Sequence, residues 1–104
     1  MATIDKIGRV VREQARLTLL RLLSEMPGYA ANTSLLDDAL VELGVPIGRD
    51  KVETEAAWLA EQDLVAREVK GPVTKLTLTR RGRDCATGMV EVPGVKRPSP
   101  DDPD

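Results

Sequence analysis

The sequence predicts a mainly α-helical domain with a small β-hairpin, in the order helix, helix, helix, hairpin and helix. Apolar residues recur at three- and four-residue steps over the first half of the chain, which is typical of amphipathic helices. Apolar and polar residues alternate over residues 64–78 around Gly71-Pro72, which is typical of two strands joined by a turn. Thr79 then offers a side-chain oxygen that can cap a last helix.

The first helix is predicted to begin near Ile4 and to end before Pro27-Gly28. Its apolar stripe consists of Ile4, Ile7, Val11, Ala15, Leu19, Leu22 or Leu23, and Met26. Val10, Leu17 and Leu20 lie off this stripe, so the apolar surface is wider than one core contact requires. The excess can belong to the core or face a second subunit, and periodicity does not separate these alternatives.

A helix-turn-helix is predicted next. Cap oxygens at residues 32–34 precede a short helix over residues 35–43, and Gly44 closes it. After a turn at residues 45–48, a third helix begins at Arg49 or Asp50 and runs to about Gln62. Val52, Ala56 and Leu59 form its buried stripe, so Glu55 and Trp58 are expected to point elsewhere. Asp63 follows in a left-handed conformation.

The fourth helix is predicted from Arg80 to about Thr87, with Gly88 as its stop. Residues 91–104 contain four of the seven prolines, which favours an extended or disordered tail. We therefore expect one domain over residues 1–90. The three terminal aspartates could fold back over the basic hairpin or could simply form a mobile, solubilising end.

This order of elements resembles the winged helix-turn-helix regulators, and the residues that carry the likeness are Val52, Ala56, Leu59, Asp63-Leu64-Val65, Arg67 and Leu78-Thr79-x-x-Gly82. In the arsenic-repressor and multiple-antibiotic-resistance types, similar patterns flank the wing. The resemblance therefore implies a recognition helix at residues 49–62. The chain also resembles, more closely, small proteins of Mu-like bacteriophages and prophages, whose last helix is followed by a Pro-Gly-Val-x-Arg-Pro segment like residues 93–98.

Composition excludes several function classes. The 104 residues suffice for one modest core, and the aromatic residues are only Tyr29 and Trp58. With one cysteine and no histidine, the chain cannot form an internal disulfide or a Cys-His pair, and it lacks the usual ligands of a soft-metal site. Cys85 is interpreted as a small buried residue. We therefore expect no cofactor, no metal, no enzyme activity and no membrane association, in a reducing cytoplasm.

Charge is divided along the chain. Residues 27–63 hold two basic and eight acidic residues, a net charge of −6, whereas residues 64–90 hold six basic and two acidic residues, a net charge of +4. Phosphate neutralisation supplies most non-specific affinity for DNA. Acidic Asp50, Glu53 and Glu55 on the third helix would therefore weaken binding.

The candidate DNA-binding residues are Arg49, Lys51, Thr54, Arg67, Lys70, Lys75, Arg80 and Arg81. The hairpin lysines could contact phosphates, or could merely keep an edge strand from pairing with other chains. Trp58 could cover the core beneath the hairpin, or could stack on a base or anchor a partner.

Two function classes remain open. The first is a DNA-binding transcriptional regulator of a phage or prophage that binds double-stranded DNA, expected to be a homodimer through its first and last helices. The second is a protein-interaction adaptor, in which the acidic helix-turn-helix, with Asp37, Asp38 and Glu42, binds a basic phage protein partner. Fold alone does not choose between them.

Overall fold

A computed structural model describes residues 2–99 of the chain. The helices are α1 (Ala2–Glu25), α2 (Thr33–Glu42), α3 (Arg49–Glu61) and α4 (Arg80–Ala86), and a short 3-10 turn covers Pro27–Tyr29. The strands are β1 (Ala30–Asn32), β2 (Val65–Lys70) and β3 (Val73–Leu78). The described part of the protein is thus mainly helical with a small antiparallel sheet, and the predicted order of four helices and a hairpin is confirmed.

The sheet has a third strand that the sequence analysis did not predict. Strand β1 pairs antiparallel with β3, so the strand order is β1-β3-β2. Residues Ala30-Ala31-Asn32 have a low intrinsic preference for strands, and their extended conformation comes from pairing with β3. Asn32 also caps α2, because its side chain accepts a hydrogen bond of 2.8 Å from the Leu35 amide. One residue therefore ends a strand and begins a helix.

The core is aliphatic and lies between the helices and one face of the sheet. Its fully buried large side chains are Leu17, Leu19, Leu20, Leu23, Leu36, Leu40, Val52, Leu59, Leu64 and Leu76. The predicted stripe of α1 is therefore wrong in its first half. Ile4, Ile7 and Val11 are exposed, whereas Leu17 and Leu20, which lay off the stripe, are buried.

The predicted turn chemistry is confirmed at several positions. Asp63 has a φ of 60°, and Gly44 and Gly88 have φ values of 77° and 85°. Each ends a helix in the left-handed conformation that glycine, and to a lesser degree aspartate, tolerates. The hairpin turns at Gly71, whose φ is 60°.

The segment after α4 is packed against the domain. Residues 91–99 form neither helix nor strand, yet Val92 and Val95 are buried in the core. The Lys96 amide donates a hydrogen bond of 3.2 Å to the Glu13 carbonyl oxygen. The described residues that follow the boundary predicted at residue 90 therefore pack against the core. The acidic residues 101–104, predicted to fold over the hairpin or to remain mobile, lie outside the described residues.

Candidate nucleic-acid interface

Helix α3 begins with exposed basic and polar side chains. Arg49, Lys51 and Thr54 are all exposed. The Thr54 hydroxyl donates to the Asp50 carbonyl oxygen at 3.0 Å, so it is partly engaged within its own helix. Gly48, with a φ of 91°, precedes the helix and supplies no capping side chain.

Two of the three carboxylates expected to oppose DNA are not free on the surface of α3. Glu55 is 3% exposed, and Arg16 donates to it from Nε at 2.7 Å. Glu53 is half-buried and accepts a hydrogen bond of 2.5 Å from the Thr33 hydroxyl. The start of α3 is therefore less acidic toward solvent than its sequence indicates.

The hairpin lysines lie on the face of the sheet that points away from the core. Thr74, Leu76 and Leu78 of β3 are buried, so Lys75 between them points outward. Lys70 is the last residue of β2, and its Nζ lies 3.2 Å from Oε1 of Glu68. Glu68 lies directly opposite Lys75 on the neighbouring strand. Glu68 therefore offsets part of the positive charge of this face.

The hairpin tip lies toward the start of α3. The chain reverses after α3, and Arg67 of β2 approaches Glu53 at 3.9 Å. Strand β2 therefore runs back along α3, which brings Lys70 toward the end that carries Arg49. Arg67 itself lies on the same face of the hairpin as its buried partner Leu76.

Arg80 and Arg81 lie at the opposite end of α3. Arg81 donates from Nε to the Gln62 carbonyl oxygen at 3.0 Å, and Gln62 follows the last residue of α3. The eight predicted residues are thus divided. The residues toward the start of α3 are Arg49, Lys51, Thr54, Arg67 and Lys70. Lys75 lies on the outer face of the hairpin opposite Glu68, and Arg80 and Arg81 lie at the other end of α3.

The sequence analysis missed a buried ion pair between α1 and α3. Besides its contact with Glu55, Arg16 donates from Nη1 to the Gly94 carbonyl oxygen at 2.9 Å, and its guanidinium lies 3.8 Å from the centroid of the Trp58 ring. The signal was present, because Glu55 continues the spacing of Val52, Ala56 and Leu59 along one helix face.

Trp58 is half-buried and packs against the hydrophobic core, as expected, but its ring contacts differ from the expected position beneath the hairpin. Its ring packs between Arg16 of α1 and Gly94 of the C-terminal segment. A Cβ at Gly94 would lie 2.8 Å from the ring, and Gly94 has a φ of 100°. Only glycine fits there, because any other side chain would collide with the ring.

Helix α2 presents an acidic face. Asp38 and Glu42 are exposed, whereas Asp37 is half-buried and its Oδ1 is occluded without a hydrogen-bond partner among the described residues. Asp37 is therefore not available to a partner in the way the other two carboxylates are. A shallow apolar depression beside them is lined by Leu35, Asp38, Ala39, Val41 and Glu42.

Two related proteins resemble this chain over most of its length. It is 43% identical over 94 residues to uncharacterized protein gp26 of Escherichia phage Mu, which covers 90% of this chain and 97% of gp26. The chain belongs to the gp26 family. It is also 37% identical over 93 residues to an uncharacterized protein of Haemophilus influenzae, covering 88% of this chain and 90% of that protein. No family model and no solved structure matches the chain.

Membership in the gp26 family confirms the predicted resemblance to Mu-like phage proteins, which was based on residues 93–98. In this gp26 relative the motif is structural: Gly94 packs on Trp58 and Val95 is 7% exposed. Within residues 2–99, no helix is long and apolar enough to cross a membrane. The same residues contain no group of three or more potential acidic, cysteine or histidine ligands placed to hold a metal ion.

Cys85 is buried in α4, as predicted, with an exposed fraction of 2%. Burial raises the pKa of its thiol, and the nearby positive charge of Arg81 opposes this only in part. A raised pKa lowers the thiolate fraction at a given pH. We expect iodoacetamide to alkylate the native protein at about pH 8 at least roughly tenfold more slowly than the denatured chain. Equal rates in a quenched mass-spectrometric time course would contradict this placement.

Proposed function

We propose that this protein is a DNA-binding winged-helix protein, acting as a phage or prophage transcriptional regulator that does not sense metals. In this proposal the elements form a winged helix-turn-helix, with α3 as the recognition helix and β2-β3 as the wing. The observation that supports it best is the shared placement of the start of α3 and the hairpin tip. Both lie toward one end of the domain and carry exposed basic side chains.

The charges that remain exposed on α3 support the proposal further. Burial of Glu55 and the engagement of Glu53 leave Asp50 as the exposed carboxylate next to Arg49 and Lys51. Arginine and lysine at the start of a helix can reach base edges or phosphates in the major groove. The outward lysines of the hairpin can contact phosphates beside it.

A salt titration tests the proposal. We expect mixed-sequence duplex DNA to bind at about 50 mM salt and to bind much more weakly at about 200 mM, because phosphate contacts release counterions. Lys70→Gln and Lys75→Gln, each made as a single variant, should each lower the slope of log affinity against log salt by about one if the lysine neutralises a phosphate. Fluorescence anisotropy with a labelled duplex measures both effects.

Arg97→Gln is the matched control, because it also removes one exposed positive charge, from the C-terminal segment. It should leave the salt slope unchanged. Absence of binding at low salt would reject the DNA proposal. A slope that responds equally to Arg97→Gln would show that net charge, and not the α3 and hairpin surface, governs binding.

A second candidate function is an adaptor that binds a basic protein. The observation that favours it is the exposed acidic and apolar face of α2, which includes Asp38 and Glu42. An acidic face would repel DNA but attract a partner of opposite charge. This function requires a partner other than the protein itself. Retention of basic proteins by the α2 face of a monomeric chain would therefore support the adaptor function.

A further inference from the structure

The first half of α1 extends beyond the domain body. Every residue from Thr3 to Arg12 is exposed, except half-buried Gly8. In contrast, Leu17 and the apolar residues that follow it in α1 are almost all buried. The exposed fractions of Ile4, Ile7 and Val10 are 60%, 57% and 59%, and that of Val11 is 42%. These four large apolar side chains lie close together on one short helical segment and form an exposed hydrophobic patch. Such a patch is typical of a surface that binds another protein.

The charge of this α1 segment is positive. Residues 2–12 contain Lys6, Arg9 and Arg12 against Asp5, a net charge of +2. The segment therefore combines an apolar surface with basic side chains beside it. Two such segments laid side by side would have to bring like charges together, which is unfavourable.

The outer face of α2 has the opposite character. Leu35, Val41 and Leu43 are 47%, 54% and 57% exposed, and residues 33–43 carry three acidic and no basic residues. Leu35, Asp38 and Glu42 share one side of the helix at spacings of three and four. The depression that they line is open to solvent.

Glu42 lies where its own helix does not favour it. It is the last residue of α2, and the final turn holds no basic residue. A carboxylate at a helix C-terminus is unfavourable, because it lies beside the negative end of the helix dipole. Glu42 therefore does not stabilise its own helix. This favours a contact between its carboxylate and a positively charged group.

We infer that the two faces cover each other between two copies of this protein. The basic, apolar first half of α1 in one copy lies along the acidic, apolar outer face of α2 in its partner. The same chain cannot make this contact, because α1 is a continuous helix from Ala2 to Glu25 and its first half extends away from the body. Two equivalent contacts about a twofold axis give a closed dimer.

This pairing differs from a contact through the first and last helices. Helix α4 directs its buried residues, Gly82, Cys85 and Ala86, toward its own chain, and its Arg80, Arg81 and Arg83 carry positive charge. It thus offers no apolar surface to a second α1. The inference does not depend on DNA binding, because neither face includes the start of α3 or the hairpin tip.

Reversing charges on either face tests the inference. Wild-type protein is expected to sediment as a concentration-dependent dimer that weakens at high salt. Asp38→Lys with Glu42→Lys should raise the dimer Kd at least about tenfold, and so should Arg9→Glu with Arg12→Glu. The chain that carries all four substitutions should recover dimerisation, because the two faces have then exchanged sign.

Glu61→Lys reverses an exposed charge at the end of α3 and should leave the dimer Kd unchanged, and circular dichroism should show that every variant is folded. A wild-type chain that is monomeric at all concentrations overturns the inference. Loss of dimer from the α1 variant alone would point to pairing of α1 with α1, and would also overturn it.

A cross-linking experiment locates the contact independently. In a Cys85→Ala background, Ile7→Cys chains are mixed with Ala39→Cys chains and oxidised. Disulfide formation between unlike chains supports the contact of α1 with α2. If Ile7→Cys chains cross-link with each other instead, the inference is wrong. Retention of basic proteins by the α2 face of a strictly monomeric chain would overturn it in favour of the adaptor function.

Discussion

Gly82→Ala is expected to destabilise the protein by about 3 kcal/mol. A Cβ at Gly82 would lie 2.0 Å from the Leu64 carbonyl oxygen and 2.6 Å from Cδ1 of Leu78. The first distance involves backbone that cannot rotate away, because the Leu64 oxygen also accepts a 3.1 Å hydrogen bond from the Thr79 amide. Helix α4 would have to move away from the start of β2 and the end of β3.

Thermal unfolding followed by circular dichroism measures this effect. For a domain of this size the expected fall in Tm is on the order of 15 °C. Gly8→Ala is the matched control, because it is the same substitution in a helix and its new Cβ would meet only the Arg12 Nη1 atom, at 3.6 Å. It should stabilise α1 by up to about 1 kcal/mol. Equal effects at both positions would refute the steric explanation.

This prediction also explains the Leu-Thr-x-x-Gly pattern in physical terms. The Thr79 hydroxyl accepts from the Gly82 amide at 3.0 Å and donates to the Asp63 carbonyl oxygen at 2.7 Å. One side chain thus caps α4 and fixes it to the end of α3, while Gly82 allows the close approach. The cap was readable in the sequence because Thr79 and Gly82 are three residues apart, whereas the contacts of these two residues with Asp63 and Leu64 are visible only in the structure.

The helices and the hairpin could be predicted because periodicity, caps and turn residues are local signals. Strand β1 could not, since nothing in Ala30-Ala31-Asn32 favours a strand until β3 is beside it. The exposed first half of α1 was missed for a similar reason. Ile4 and Ile7 have the spacing of a core stripe, and only the tertiary arrangement shows that no other described element buries them.

The types of residue in the candidate interface could be predicted from the sequence. Which of these residues lie together in the structure could not. Sequence reasoning counted Glu53 and Glu55 against DNA binding, yet Glu55 is buried against Arg16, and Glu53 is half-buried and accepts a hydrogen bond from Thr33. It also grouped Arg80 and Arg81 with the hairpin because they are close in sequence. The hydrogen bond from Arg81 to Gln62 places them at the other end of α3.

Arg16→Leu is expected to destabilise the protein by about 3–5 kcal/mol, because it leaves the Glu55 carboxylate buried without its cationic partner. The side chains of Arg16 and Glu55 are 13% and 4% exposed, so water substitutes poorly for the guanidinium. The variant also lacks the cation that lies on Trp58 and the hydrogen bond to Gly94. Urea unfolding followed by Trp58 fluorescence measures the change.

A double-mutant cycle separates the ion pair from the other interactions of Arg16. Replacing Glu55 by leucine in the Arg16→Leu chain removes the unpaired charge and should restore most of the stability, since apolar replacement of a buried pair is often close to neutral. Arg97→Leu is the control, because its pair with Glu91 spans 3.8 Å and is solvent-exposed. It should change stability by less than about 0.5 kcal/mol. If the Arg16→Leu chain is as stable as Arg97→Leu, or if removing Glu55 from it restores nothing, the buried charge is not what joins α1 to α3.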